Sequence, residues 1–108
     1  MLATNSRRTH WVQFLQTEHF GARANETFDL SLGETTQTLT LVEVRPLPPQ
    51  NFAGMVRHPF SLLFRSPSQI ALPQRLYRLN NAAMGALDVF LVPVGRDAAG
   101  VIYEAVFN

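Results

Sequence analysis

Ala86-Leu87-Asp88-Val89-Phe90-Leu91-Val92-Pro93-Val94 and Val101-Ile102-Tyr103-Glu104-Ala105-Val106-Phe107 decide the fold of this chain. Both stretches are dense in β-branched and aromatic residues, and Gly95-Arg96-Asp97-Ala98-Ala99-Gly100 between them carries turn chemistry. They read as one β-hairpin. Apolar character runs almost unbroken along each arm, which predicts that both faces are covered and that the hairpin is the centre of the core. Phe90 is then a core residue alongside Phe60, Phe64, Tyr103 and Phe107. Its truncation to alanine is expected to cost about 3 to 5 kcal/mol.

Working outward, the pattern stays β. Phe28, Leu30 and Leu32 alternate with Asp29 and Ser31, the period of a half-buried strand, and Gly33-Glu34-Thr35-Thr36 turns the chain. Leu39 and Leu41 alternate in the next strand, but Val42 and Val44 continue it on the other parity, which predicts a bulge near Leu41 or burial on both faces. Three prolines in Arg45–Met55 lack a ladder donor, so that stretch is a long loop. Pro59–Arg65 resumes as a strand, with Phe60, Leu62 and Phe64 on one face and Ser61, Leu63 and Arg65 on the other. A proline-containing loop, Ser66–Gln74, precedes a short element at Tyr77 and Leu79, and Asn80-Asn81 is suited to positive φ in a turn. The one helix falls at the N-terminus. Thr9 caps it, Trp11, Phe14, Leu15 and His19 recur at helical steps, and Gly21 stops it. The fold class is therefore mainly β: an antiparallel meander of about six strands in a small barrel or sandwich, with one short N-terminal helix packed on it.

Length and composition bound the chemistry. The 108 residues form a single domain, 1–108, with 1–8 expected as a flexible N-terminus. A hydrophobic fraction of 46% with 16% charged residues is globular. The net charge of +1 is far from the concentrated basicity that nucleic-acid binding uses. Every positive side chain is Arg, which excludes a Schiff-base or P-loop lysine, and the absence of Cys excludes thiolate chemistry and disulfides. The first eight residues have no apolar stretch of a secretory signal behind them, and no run reaches a membrane span. A cytoplasmic location, no membrane and no nucleic acid are the expectations.

The candidate chemistry is sparse. His10 and His19, nine residues apart, face opposite sides of a helix and lack a metal-ligand spacing, and His58 is an extended pre-proline residue. Ser61 lies between Phe60 and Leu62 rather than glycines, so it lacks a nucleophile elbow, and a hydroxyl hydrogen-bonded within the sheet is the simpler reading. Asp88 and Glu104 are carboxylates embedded in apolar strands. A loop pairing Gly95 with Gly100 sets them on opposite faces, and a slip of one residue sets them together, as an acid/base pair would need. The structural alternative pairs Glu104 with Arg65 or Arg78 and leaves Asp88 near an exposed strand start. Pro48, Pro49, Phe52 and Met55 form a proline-stiffened apolar loop suited to docking a partner, or to plugging an open barrel end with Phe52.

Pro59-Phe60-Ser61-Leu62-Leu63-Phe64-Arg65, Leu72-Pro73-Gln74, Tyr77-Arg78-Leu79, Phe90-Leu91-Val92-Pro93-Val94-Gly95 and Tyr103-Glu104-Ala105-Val106-Phe107-Asn108 together resemble a family of small bacterial domains of unknown function. The resemblance covers the C-terminal half and extends weakly over Phe20–Val44. Arg75 departs from it, standing where the pattern has a glycine after Pro73-Gln74, so the turn there is expected to differ. The family carries no catalytic or binding residue across. Its association with phage-tail-collar-type genes implies a structural or assembly role. The sequence thus points to a non-enzymatic interaction or structural module whose partner is another protein or a second copy, with no cofactor. The alternatives are a small barrel holding an apolar ligand and, behind it, an enzyme using Asp88 or Glu104.

Overall fold

A computed structural model describes residues 17–47 and 59–107 of the chain. A short helix, α1 (Thr17–Gly21), precedes six strands: β1 (Thr27–Leu32), β2 (Thr35–Pro46), β3 (Phe60–Ser66), β4 (Arg75–Asn81), β5 (Gly85–Asp97) and β6 (Gly100–Phe107). The strands close into an antiparallel barrel in the order β1-β2-β3-β6-β5-β4. Two meanders, β1-β2-β3 and β4-β5-β6, therefore meet along β3–β6 on one side and β1–β4 on the other. The first junction runs the whole of β3, from Phe60–Phe107 to Ser66–Val101. The second consists of Asp29–Asn80 and Leu30–Leu79.

Alternation decides what lies inside. Phe28 and Leu30, Leu39 and Leu41, Phe60, Leu62 and Phe64, Tyr77 and Leu79, Leu87, Val89 and Leu91, and Val101, Tyr103, Ala105 and Phe107 are all buried and form one cluster. Phe28 meets Phe64 edge-on at 5.3 Å between ring centres. At one end of the barrel Phe60 stacks on Phe107 at 4.7 Å, and Phe20 of α1 leans on both rings at 5.9 and 5.7 Å. That ring is why α1 lies there: a helix this short is held by packing, not propensity. It also turns Phe20 inward while His19 of the expected apolar stripe is exposed. The other residues of that stripe, Trp11, Phe14 and Leu15, and the cap Thr9, lie outside the described residues.

The irregularities have local causes. Leu41 pairs with Phe64 and Glu43 with Leu63, so Val42 is the extra residue of a bulge, at the point where the parity of β2 changes. Gly33 and Gly85 take φ of +79° at their turns. Asn80 and Asn81 do not: both belong to β4, and Asn81 shapes the turn with its side chain instead. Its Oδ1 accepts from the backbone N–H of Ala83 (2.9 Å) and Met84 (3.0 Å). The hairpin between β5 and β6 is tighter than Gly95-to-Gly100 counting suggests, with Asp97 opposite Gly100. A second bulge between Pro93 and Gly95 then shifts the register, so Val92 faces Glu104. Proline, which has no N–H to give the ladder, is tolerated at such a break.

That register corrects the core assignment. Phe90 is not buried: it is 50% exposed on the outer wall, as are Val94 at 52% and Val106 at 51%. The hairpin is covered on its inner face alone. Among the described residues no helix is long and apolar enough to cross a membrane.

Candidate functional site

The outer wall of β4, β5, β6 and β3 carries a row of apolar side chains. Leu76 of β4 stands directly opposite Phe90 of β5. Continuing the Val92–Glu104 pairing brings Phe90 opposite Val106 of β6, and Val106 in turn faces Ser61 of β3. Leu76 is 61% exposed, so the row opens with three adjacent strands each presenting an exposed apolar group. Half-buried Val92, Leu63 and Ile102 broaden it. At about 4.8 Å per strand, the span from β4 to β3 is about 14 Å.

Charges border this row in pairs. Arg78 grips Asp88 through Nε (2.6 Å) and Nη2 (2.9 Å). Arg45 reaches Glu43 at 3.1 Å, and Arg65 reaches Asp97 at 2.9 Å. The Arg78 guanidinium holds the Asp88 carboxyl below its usual range, against the upward push of partial burial, and Asp88 raises Arg78 in return. The apolar row is thus bordered by charged pairs.

The expected ion pairs are thus rearranged. Arg65 and Arg78 both form salt bridges, but with Asp97 and Asp88. Glu104, flanked by Val92 and Leu63, makes no direct ion pair among the described residues and acts on Arg45 only through its field. The reason is register: Glu104 faces Leu63, two residues from Arg65 on β3, while Arg78 lies two strands away opposite Asp88. Asp88 is not a bare carboxylate at a strand start but the partner of Arg78. The one-residue slip is the arrangement realised, so Asp88 and Glu104 do share the outer face. They are four residues apart along β5, about 13 Å, and cannot pass a proton between them.

Ser61 departs from its expected role too. It is fully buried, yet its Oγ has no hydrogen-bond partner among the described residues, and neither has Nε of Arg65. No group of three His, Cys, Asp or Glu among the described residues could hold a metal. His10 and His58 lie outside those residues, as do Pro48, Pro49, Phe52 and Met55 of the proposed docking loop. The row Leu76–Phe90–Val106 had a signal in the sequence. Phe90 shares parity with Asp88, Val106 with Glu104, and Leu76 with Arg78, and a charge within a strand marks its outward face.

A family model described as Domain of unknown function (DUF6916) matches residues 15–107. The chain belongs to this family. In this DUF6916 domain the matched span takes in α1 and all six strands. It therefore reaches well beyond the C-terminal half that carries the resemblance noted above. No curated protein and no solved structure matches the chain.

Proposed function

We propose that this DUF6916 domain is a non-enzymatic protein–protein interaction module, structural or assembly in role, working in a bacterial cytoplasm. The row Leu76–Phe90–Val106 carries the reading, because an exposed apolar strip on an otherwise charged wall is costly to leave wet. Its partner is a protein surface with an apolar centre and charges to meet the Arg78–Asp88 and Arg45–Glu43 pairs. The link to phage-tail-collar-type assemblies rests on the family resemblance. An apolar ligand inside the barrel finds less support: a six-stranded barrel is narrower than the eight-stranded kind that side chains already fill, and here the inward positions hold Phe, Tyr and Leu.

Affinity capture from source-cell lysate tests this with three baits: wild type, Leu76→Ser/Phe90→Ser/Val106→Ser, and Phe52→Ser/Met55→Ser. A specific protein held by wild type and lost with the wall variant, whose melting temperature stays close to wild type, is the expected result. A partner retained by the wall variant and lost by the loop variant overturns the wall and returns the contact to the proline-rich loop. Equal retention by all three baits overturns both.

A further inference from the structure

The barrel is well closed except at one seam. β1 and β4 pair through Asp29–Asn80 and Leu30–Leu79. Extending that register would bring Ser31 to Arg78 and Leu32 to Tyr77, but these pairs do not form. Each strand nevertheless goes on pairing on its other side, β1 with β2 as far as Leu32–Thr35 and β4 with β5 as far as Arg75–Leu91. The two strands therefore diverge, and a cleft of about 330 Å³ opens between Ser31–Gly33 and Arg75–Arg78. Successive residues of an antiparallel strand direct their N–H and C=O groups alternately to the two neighbouring strands. Those of the Arg75–Arg78 stretch that turn away from β5 thus face the cleft without a β1 partner. A strand edge of this kind is a template for a further strand.

The walls say what kind of strand. None of the cleft residues is acidic, and two are arginines. Arg78 is engaged with Asp88, whereas Arg75 has no carboxylate partner among the described residues and rests 5.8 Å from the Tyr77 ring. Apolar surface is offered by Leu76 and by Leu32, which is 37% exposed. We propose that an extended peptide bearing an acidic side chain adds to β4 at this seam. The peptide runs antiparallel to β4: its acid lies opposite Arg75, and an apolar residue two positions before it, on the same face, lies against Tyr77. The residue between them points outward beside Leu76 and lengthens the row Leu76–Phe90–Val106 by one strand. This rests on the reading of the domain as an interaction module and names the chemistry of its partner.

The test uses the full chain and two labelled, acetylated and amidated peptides, Thr-Thr-Val-Val-Glu-Thr-Thr and its counterpart with Lys for Glu. The chain has no cysteine, so Ser31→Cys/Arg78→Cys introduces the only pair available to bolt the seam shut. The Glu peptide should bind wild type and the reduced double variant, lose at least about tenfold in affinity on oxidation, and recover with reductant. Arg75→Glu should reverse the preference to the Lys peptide, each ion pair shifting affinity by roughly three- to fivefold. Should the disulfide not form, the Arg75→Glu arm decides. Equal binding by oxidised and reduced protein, no discrimination between the peptides, or no binding by wild type overturns the proposal. Self-association lost on oxidation, with neither peptide bound, gives the seam to a second copy and overturns it as well. The wall is tested separately: Phe90→Ser/Val106→Ser leaves the seam intact, and the cysteine pair leaves Phe90 and Val106 in place.

Discussion

Deleting the ring of Phe64 and deleting that of Phe90 have different consequences, although both residues sit in apolar strands. Phe64 is 1% exposed and in edge-to-face contact with Phe28, so Phe64→Ala should cost about 3 to 5 kcal/mol. Phe90 is half exposed, so Phe90→Ala should cost less than about 1 kcal/mol. Urea titration of both variants checks the contrast, and a large loss for Phe90→Ala would put its ring in the core after all. Leu-Val-Phe density alone reads as burial on both faces, whereas the parity of Asp88 marks Phe90 as outward. Asp88 itself allows a pH test. Its folded-state pKa is depressed by Arg78, so the pair's stabilisation is present above the ordinary carboxylate pKa of about 3.9 and is lost as pH falls through the folded value. Asp88→Asn should therefore destabilise by less than about 1 kcal/mol at pH 7, since Arg78 is 52% exposed, and the difference should shrink as pH falls. Melting curves of variant and wild type at pH 7 and pH 2.5 measure it.

At the scale of elements, the two ends of the β1–β4 junction differ. At the Asn81 end, side chains stitch what the ladder leaves open. Asn81 Nδ2 donates to the Thr27 carbonyl at 3.0 Å and to Glu26 Oε1 at 3.2 Å, while its Oδ1 holds the turn into β5. At the Arg75 end no such stitch is made among the described residues. Asn81→Ala should cost about 2 kcal/mol or more, because the buried Asn81 amide makes four bonds that are lost together. It should also speed amide exchange at Asp29 and Leu30 while leaving β3 and β6 protected; unchanged exchange in β1 would mean that Asn81 serves only its turn. Strand positions, the Gly33 turn and the β2 bulge were legible because alternation and turn residues are local signals. The hairpin register was not. It depends on a two-residue turn and on a bulge at Pro93–Gly95, and neither leaves a distinct mark in a run that is apolar on both parities.

Over the whole molecule, an antiparallel meander of about six strands was legible, but its closure into a barrel and its strand order were not. β3 and β6 meet across a long stretch of chain, and many alternating strands could have taken either place; the Phe60–Phe107 stack selects this pairing only once the chain is folded. The wall site was hidden for the same reason, since Leu76, Phe90 and Val106 become neighbours only through that order. One feature of the closed molecule bears on what two such chains can do together. The link from β3 to β4 is the sole covalent tie between the meanders, and the tip of the β5–β6 hairpin is fastened across it. Gln69 donates to the carbonyls of Asp97 (3.1 Å) and Ala98 (3.3 Å), and Arg96 donates to the Gln69 carbonyl at 2.9 Å. Val101 N–H reaches the Ser68 carbonyl, Tyr103 Oη accepts from Leu72 N–H, and a Cβ at Gly100 would collide with the Ser66 carbonyl. Trading halves between two chains would require this link to straighten into an arm, which opens these bonds. The fastened link therefore favours each chain keeping its own halves in one barrel.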